Sequence, residues 1–382
     1  NIRADASSRF AKGHRWGYFP SFSAAWRISE EAFMEEAVGW LTDLKIRGSY
    51  GNLGNQSALS DFYPWMNSYD LDAHYSLNGS LQTGYHQKNY KIATISWEKA
   101  RTWGVGIDAT LFGKLTVGLD YYDRKTTGII MDVPVPAEFG LGAYKDNVGA
   151  MVNRGVELTL NYNESWDDWS FGVSANLAYN KNKVLYLDGV QSLADGDLKV
   201  KQVGAAYGTY RLYKTGGFFQ SDEEAKRWQE KHKNDAGYPF KRDFKAGDLI
   251  YMDTNEDGLI NADDRVLCGS SNPSYTFGLN LSAGYKSIDC SVMLTGVADV
   301  KRMIDINGFG GEWSGDDCHP NNIWLDAWTP DNRDAKMPRI AVGKTSNNLE
   351  YSDFWLQDGS YLRLKNLQLG YTLPKKILKS MG

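Results

Sequence analysis

The sharpest chemical pattern in the sequence is Asp253-Thr-Asn255-Glu-Asp257-Gly258-Leu259-Ile260-Asn261-Ala-Asp263-Asp264. Oxygen-bearing side chains fall at positions 1, 3, 5, 9 and 12 of this twelve-residue stretch, and Gly258 sits at position 6. That is the spacing of an EF-type calcium loop, in which glycine makes the sharp turn. Asp253, Asn255, Asp257, Asn261 and Asp264 would offer side-chain oxygens, Leu259 its backbone carbonyl, and Ile260 would pack inward. Position 12 is Asp264, shorter than the usual glutamate, so bidentate binding there is weaker. Strand patterns flank the loop, so Ca²⁺ would act as a structural clip. The competing reading is an Asx-rich turn without metal, because Asp, Asn and Gly favour turns anyway.

Patterns for catalysis are missing. His14, His74, His86, His232 and His319 are scattered and form no H-E-x-x-H, and no G-x-S-x-G elbow occurs. Gly343-Lys344-Thr345 resembles the end of a phosphate loop, but Pro338 stands where the first glycine is required. The adjacent acids Glu223/Glu224 and Asp316/Asp317 read as solvated charge. Trp65, Trp313, Trp324 and Trp328 lie in loop-like stretches near Asn and Asp. Such groupings suit sugar stacking, and more commonly loop packing or a partner interface. The expectation is a chain that is not an enzyme, with substrate contacts that the sequence does not single out.

The elements that must carry these residues are strands. The chain has 382 residues, with Lys+Arg 42 against Asp+Glu 47, a formal charge of −5. Hydrophobic residues make up 42% and charged residues 23%, which excludes a disordered chain. The slightly acidic balance gives no basic footprint for nucleic acid. Cys268, Cys290 and Cys318 are odd in number and widely spaced, so neither a disulfide framework nor a zinc pattern is implied. No apolar run reaches the eighteen or so residues of a membrane helix, an argument that leaves β-barrels untouched.

The dominant period is two. Trp103, Val105, Ile107, Ala109 and Leu111 alternate with Gly104, Gly106, Asp108 and Thr110; Leu115–Tyr121, Val156–Tyr162, Phe171–Tyr179 and Phe277–Tyr285 do the same. Similar runs cover Tyr18–Trp26, Leu44–Tyr50, Ile288–Leu294 and Leu362–Tyr371. Each run has one apolar and one polar face. Phe112–Lys114 and Lys286–Ser287 read as hairpin turns, and Ser221-Asp-Glu-Glu224 as a capping box that opens a helix. Two long polar connections are expected, about 189–249 and 297–360. A soluble β-sandwich that binds or cleaves glycans would alternate in the same way. A membrane barrel is favoured by runs of about seven to ten residues, aromatics at their ends, and Gly, Asn, Asp, Thr and Ser on the polar face. On that reading Val105, Ile107, Val117, Leu119, Val156 and Leu158 face lipid.

Longer motifs then bring in a family. Arg3-Ala-Asp5-Ala-Ser7-Ser8-Arg9-Phe10, Arg15-Trp16-Gly17-Tyr18-Phe19-Pro20-Ser21, Trp26-Arg27-Ile28-Ser29-Glu30 and the run from Leu44 to Gln56 resemble the barrel of SusC/RagA-type TonB-dependent transporters. So do Trp97-Glu98-Lys99, Tyr122–Thr126, Asn147-Val148-Gly149, Asn153–Glu157, Asn180-Lys181-Asn182, Gly247-Asp248, Trp328–Asn332 and Ser360–Asn366. The resemblance spans essentially the whole chain. It implies an all-β fold, with residues 1–382 forming part of one 22-stranded antiparallel barrel in the outer membrane of Bacteroidetes-like bacteria. It further implies a plug domain, a SusD-like surface lipoprotein as lid, energy from TonB, and import of oligosaccharides or peptides. The chain reads as a piece of something longer, with room for about a dozen strands and without the plug or TonB-coupling residues.

Overall fold

The structure is a computed structural model that describes every residue except 38, 60, 88–89, 134, 136–137, 139, 189–191, 197, 234–237, 305–321, 342–345 and 374–382. The chain opens with β1 (Ile2–Ala6), β2 (Trp16–Arg27) and β3 (Leu41–Asn55), followed by a hairpin of β4 (Tyr69–Leu77) and β5 (Ser80–Gln87). Next come β6 (Glu98–Leu111), β7 (Leu115–Val133), β8 (Tyr144–Trp166) and β9 (Trp169–Leu187). A long connection then holds β10 (Ser192–Asp195), β11 (Lys199–Gln202), β12 (Thr209–Tyr213), β13 (Thr215–Phe218), helix α1 (Asp222–His232), β14 (Leu249–Tyr251) and β15 (Arg265–Ser270). The chain continues through β16 (Tyr275–Tyr285), β17 (Ile288–Ala298), β18 (Lys301–Met303), β19 (Leu356–Asp358) and β20 (Tyr361–Tyr371).

Ten of these strands form one antiparallel sheet in the order β1-β2-β3-β6-β7-β8-β9-β16-β17-β20. Three turns at one end are tight, Phe112–Lys114 between β6 and β7, Asp167–Asp168 between β8 and β9, and Lys286–Ser287 between β16 and β17, and the longer connection 28–40 joins β2 to β3 at the same end. The long connections 56–97, 188–274 and 299–360 all leave from the opposite end. This asymmetry is what outer-membrane barrels show, with short turns on the periplasmic side and long loops outside. The loop expected at 189–249 thus runs further, to Ser274, while the one expected at 297–360 starts two residues later, at Asp299. Among the described residues no helix is long and apolar enough to cross a membrane.

Register turns the alternation into two faces. Ile107, Leu119, Leu158, Leu177 and Phe277 stand side by side across five strands. Val105, Ile107, Leu119 and Val156 are exposed although apolar, as a lipid-facing surface must be. Rings border this face at both ends. Trp103 with Tyr121 (5.4 Å) and Tyr179 with Tyr275 (4.8 Å) lie toward the long loops, while Tyr162 with Phe171 (6.4 Å) and Trp169 with Tyr285 (4.4 Å) lie toward the tight turns. From Tyr275 to Tyr285 is ten steps along β16, or ~33 Å at about 3.3 Å per residue. A strand tilt of about 40° reduces that to ~25 Å, the height of an outer-membrane apolar band. In β20 the odd–even pattern breaks between Leu364 and Leu367. A bulge absorbs it: Leu294 pairs with Leu364 and Met293 with Asn366, so Lys365 is the extra residue and both leucines keep the apolar face.

The strands run well past this band. β7 and β8, of 19 and 23 residues, continue beyond Tyr121 and Val156 toward the long loops. The family-like motifs fasten these extensions. Asn147 donates to the Ser96 and Gly128 carbonyls (2.9 and 2.7 Å) and accepts from the Ser96 N–H at 2.7 Å. Buried Glu98 accepts from the Ile130 N–H at 2.8 Å and from Asn55 Nδ2 at 2.6 Å. A compact layer sits above, built from the β10-β11-β12-β15 sheet, the β13–β14 pair and α1. Its core is Tyr213, Phe219, Ala225, Phe240, Phe244, Leu249, Tyr251 and Ile260. Helix α1 starts as expected: Ser221 Oγ accepts from the Glu224 N–H and Glu224 reaches back to the Gln220 N–H.

Candidate functional site

The polar face of the wall carries the charged and amide side chains that could contact a ligand. Its register is set by the three-residue turn at Phe112–Lys114, which places Asp108 opposite Gly118 and Gly106 opposite Asp120. Lys45 lies opposite Asp108 and Arg47 opposite Gly106, so Arg47 projects between two carboxylates. Its Nε meets Asp108 Oδ2 at 3.0 Å and its Nη2 meets Asp120 Oδ2 at 2.6 Å. Gly106 leaves room beneath them, because a Cβ there would meet the ends of both the Arg47 and the Asp120 side chains and push them aside. On the next rows Tyr122 lies across Gly155, and its hydroxyl is 3.1 Å from Asn180 Oδ1. Asn182 donates to Asn153 Oδ1 at 2.8 Å, extending the polar lining. Arg47, Asp120 and Tyr122, together with Ser23, Ser49, Thr102 and Glu157, line an open groove of about 560 Å³. A larger one of about 1130 Å³ lies beside it, walled by Arg3, Asp5, Ser21, Tyr50, Asn52 and Gln56. Sequence alternation identified this face but not its ion pairs; hairpin register applied to Asp108 and Asp120 would have found them.

Residues 253–264 form a closed turn in which nearly every oxygen faces an N–H. Gly258 N–H donates to Asp253 Oδ2, Leu259 N–H to Asp257 Oδ1, and Thr254 and Asn261 N–H to the two oxygens of Asp264, all at 2.8 Å. Asn255 and Asn261 accept from the Asp257 and Asp263 N–H groups at 3.1 and 2.7 Å. Asp264 is fully buried, and Ile260 packs into the layer's core as expected. Asp253 Oδ1 is the exception, a buried oxygen with no hydrogen-bond partner. Among the described residues no group of three or more His, Cys, Asp or Glu could by itself hold a metal ion. Any cation in this turn therefore depends on the Asn side chains and the Leu259 carbonyl as well.

The two long connections are joined by a buried polar cluster. Asp248, completely buried, receives Arg339 Nε at 2.6 Å on Oδ1 and Arg339 Nη2 at 3.2 Å on Oδ2. The Nε contact is an ion pair only, whereas Nη2, Asn348 Nδ2 (2.9 Å) and the Lys245 N–H (2.9 Å) donate hydrogen bonds to Asp248. Burial still pushes the Asp248 carboxyl above its ordinary range, with Arg339 opposing the shift, and burial raises Glu350 as well. Gly247, with φ +84, lies against the Trp328 ring, where a Cβ would clash. Of the tryptophans singled out above, Trp324 and Trp328 are buried, so they serve as packing and do not stack on a ligand here. Trp65 packs beside Phe10, Leu59 and Trp97. Trp313, Asp316/Asp317, Cys318, His319 and Gly343-Lys344-Thr345 lie outside the described residues.

The comparisons with known proteins agree with this geometry. The TonB-dependent receptor P26 of Formosa agariphila is 30% identical over 377 residues, covering 97% of this chain and 37% of that protein. SusC of Bacteroides thetaiotaomicron is 26% identical over 389 residues, covering 97% of this chain and 36% of its own length. The RagAB peptide importer in its closed-closed state superposes with a TM-score of 0.76 at 25% identity, covering 99% of this chain and 39% of that one. The chain thus spans a little over a third of the length of the curated relatives it matches. These relatives are receptors and importers, in line with the expectation that the chain is not an enzyme. A soluble sandwich is set aside, because the apolar face of this sheet points outward and is bordered by rings. Residues 1–298 match the family described as TonB dependent receptor-like, beta-barrel, and with its two-faced wall, tight turns below and long loops above, the chain belongs to that family of outer-membrane β-barrels.

Proposed function

We propose that the chain is the substrate-lining and surface-exposed part of an importer that takes up oligosaccharides or peptides too large for diffusion pores. The observation that carries this is the two-faced wall: a ~25 Å apolar band on one face, and on the other a polar lining in which Arg47, Asp120, Tyr122 and Glu157 border an open groove. Paired charges and amides present donors and acceptors to a passing polar ligand without trapping it. Likeness to SusC and to the RagAB peptide importer supports the transport reading, and the RagAB likeness supports peptides as one of the two substrate classes. A SusD-like lipoprotein would rest on the layer formed by 188–274 and 299–360, since tight turns cannot reach a lid, and TonB would supply energy through parts of the protein outside this chain.

The test uses the full-length transporter in intact cells. Uptake of labelled oligosaccharides and labelled peptides is compared with and without a proton-motive-force uncoupler. Uncoupler-sensitive uptake of one class is expected. Recovery of the protein in the soluble fraction without detergent, or uptake of both classes that ignores the uncoupler, would refute the reading.

We also propose that the 253–264 turn holds a structural Ca²⁺, a reading supported by the unpartnered Asp253 Oδ1. Asp253, Asn255, Asp257, the Leu259 carbonyl, Asn261 and Asp264 would be its oxygens. The carboxylates that already accept N–H bonds keep further lone pairs for a cation. The ion would neutralise Asp253, Asp257 and Asp264 and steady the turn, with no part in transport.

A further inference from the structure

We propose that the wall carries, just above its outer ring of aromatics, a binding site for the phosphate groups of outer-leaflet lipid. Following the lipid-facing row of each strand past the apolar band leads to a basic cluster. Arg101 lies two residues beyond Trp103, Lys125 four beyond Tyr121, Arg154 two beyond Val156, and Lys181 and Lys183 two and four beyond Tyr179. At about 3.3 Å per residue and a tilt of about 40°, these steps raise the charges ~5–10 Å above the rings. Interfacial aromatics sit at the level of the lipid head groups, so the cluster occupies the head-group layer.

Its charges are not balanced by the protein. Arg154 pairs with Asp123 at 2.6 Å. Among the described residues no carboxylate lies within ion-pair reach of Arg101, Lys125, Lys181 or Lys183. Five cations against one acid is not background composition in a chain whose formal charge is −5. The register makes the excess costly: Arg101 stands directly opposite Lys125, and Arg154 directly opposite Lys181. Like charges facing each other across strands destabilise a sheet unless something neutralises them. Further down on the lumen face the same strands carry Asp108 and Asp120 beside Arg47, so they do build paired networks where no membrane is present. Arg101, Lys181 and Lys183 are exposed and Lys125 is half-buried, leaving the Arg101 guanidinium and the three ammonium groups free to reach outward, while the exposed Arg154 stays paired with Asp123. Anionic phosphates at that depth would supply the missing charge, with Arg101 capable of bidentate contacts.

The experiment takes the purified full-length transporter in non-ionic detergent and measures retained lipid by native mass spectrometry. The probes are bisphosphorylated lipid A and the same lipid with its phosphates removed. Wild type should retain the phosphorylated form and shed the other. The variant R101Q/K125Q/K181Q/K183Q should lose the phosphorylated lipid by roughly tenfold or more, while a lysine-to-arginine version of the three lysines should keep it. Lys226→Gln, on the exposed face of α1, should change nothing. Equal retention of both lipids by wild type, full retention by the glutamine variant, or displacement by millimolar inorganic phosphate would each overturn the proposal, the last by reducing it to a small-anion site. The wild-type comparison stands even if the glutamine variant fails to assemble.

Discussion

Asp248 and Arg339, 91 residues apart, form an ion pair at 2.6 Å whose carboxylate is shut off from solvent. The pair ties the connection after β9 to the connection after β17, so these are not two separate loops. Asn348 closes the joint: its Oδ1 accepts from the Leu249 N–H at 2.8 Å, its Nδ2 donates to Asp248, and its carbonyl accepts from Trp355 Nε1 at 2.8 Å. Tyr251 adds a hydroxyl bond to the Asn347 carbonyl at 2.7 Å. A partner resting on this layer would meet one preformed surface.

Breaking one side of that joint should be severe. Arg339→Leu leaves a buried carboxylate without its cation, and removing one partner of such a pair costs about 3–5 kcal/mol. Hydrogen exchange across residues 213–260 should rise sharply while the wall strands β6–β9 keep their protection. Asp248→Leu together with Arg339→Leu should recover part of the loss. Unchanged exchange in the single variant would show that the pair contributes nothing.

The same burial sets a pH dependence. Asp248 and Glu350 are both held above the ordinary carboxylate range, so the folded layer binds protons more readily than the unfolded chain. Stability from these groups is therefore complete below the ordinary carboxylate range and is lost as pH rises through their raised values. Melting of the layer, followed by tryptophan fluorescence, should occur at higher temperature in mildly acidic buffer than at neutral pH. Glu350→Gln should flatten that slope. A melting temperature that climbs with pH would contradict the assignment.

The wall makes a sharper demand on position than on composition. Val117 lies on the lipid-facing side between Ala109 and Leu160, whereas Asn161 lies on the polar side, accepting from Ser174 Oγ at 2.7 Å. Val117→Arg should cost about 2–4 kcal/mol near mid-membrane, while Asn161→Arg should be tolerated. Heat-modifiability of the folded barrel on a gel separates the two. Equal loss from both would mean that the faces are misassigned.

What the sequence revealed follows from which forces leave a local trace. Within the band, lipid on one side and water on the other impose period two, so Trp103–Leu111 and Phe277–Tyr285 were legible residue by residue. Above the band both faces meet protein or water and the alternation fades. Thus β8 begins at Tyr144, twelve residues before the Val156 run that marked it, and the hairpin β4–β5 went unmarked. That hairpin could have been found from Asn78-Gly79, whose positive φ angles of 50° and 75° suit a tight two-residue turn. The α1 cap and the 253–264 turn were legible because their bonds close within a few residues. Asp248–Arg339 was not, since no period links positions brought together only by tertiary packing.

The proposed Ca²⁺ in the 253–264 turn makes a separate demand. Asp264 already receives two backbone N–H groups and Ile260 anchors the turn in the core, so the turn can fold without metal. What the metal would add is a partner for Asp253 Oδ1 and relief of repulsion among Asp253, Asp257 and Asp264. Removing calcium should therefore loosen the turn without unfolding the wall. A ligand that binds only the folded state stabilises by about 2.7 kcal/mol at a hundredfold excess over its Kd. Chelation should lower the melting temperature of the upper layer and speed exchange at 253–264, and calcium should restore both where magnesium, which demands tight octahedral geometry, does less. Asp253→Ala with Asp257→Ala should melt like the chelated protein and ignore added calcium. If wild type treated with chelator melts and exchanges like the untreated protein, the turn holds itself by its Asx hydrogen bonds and binds no ion.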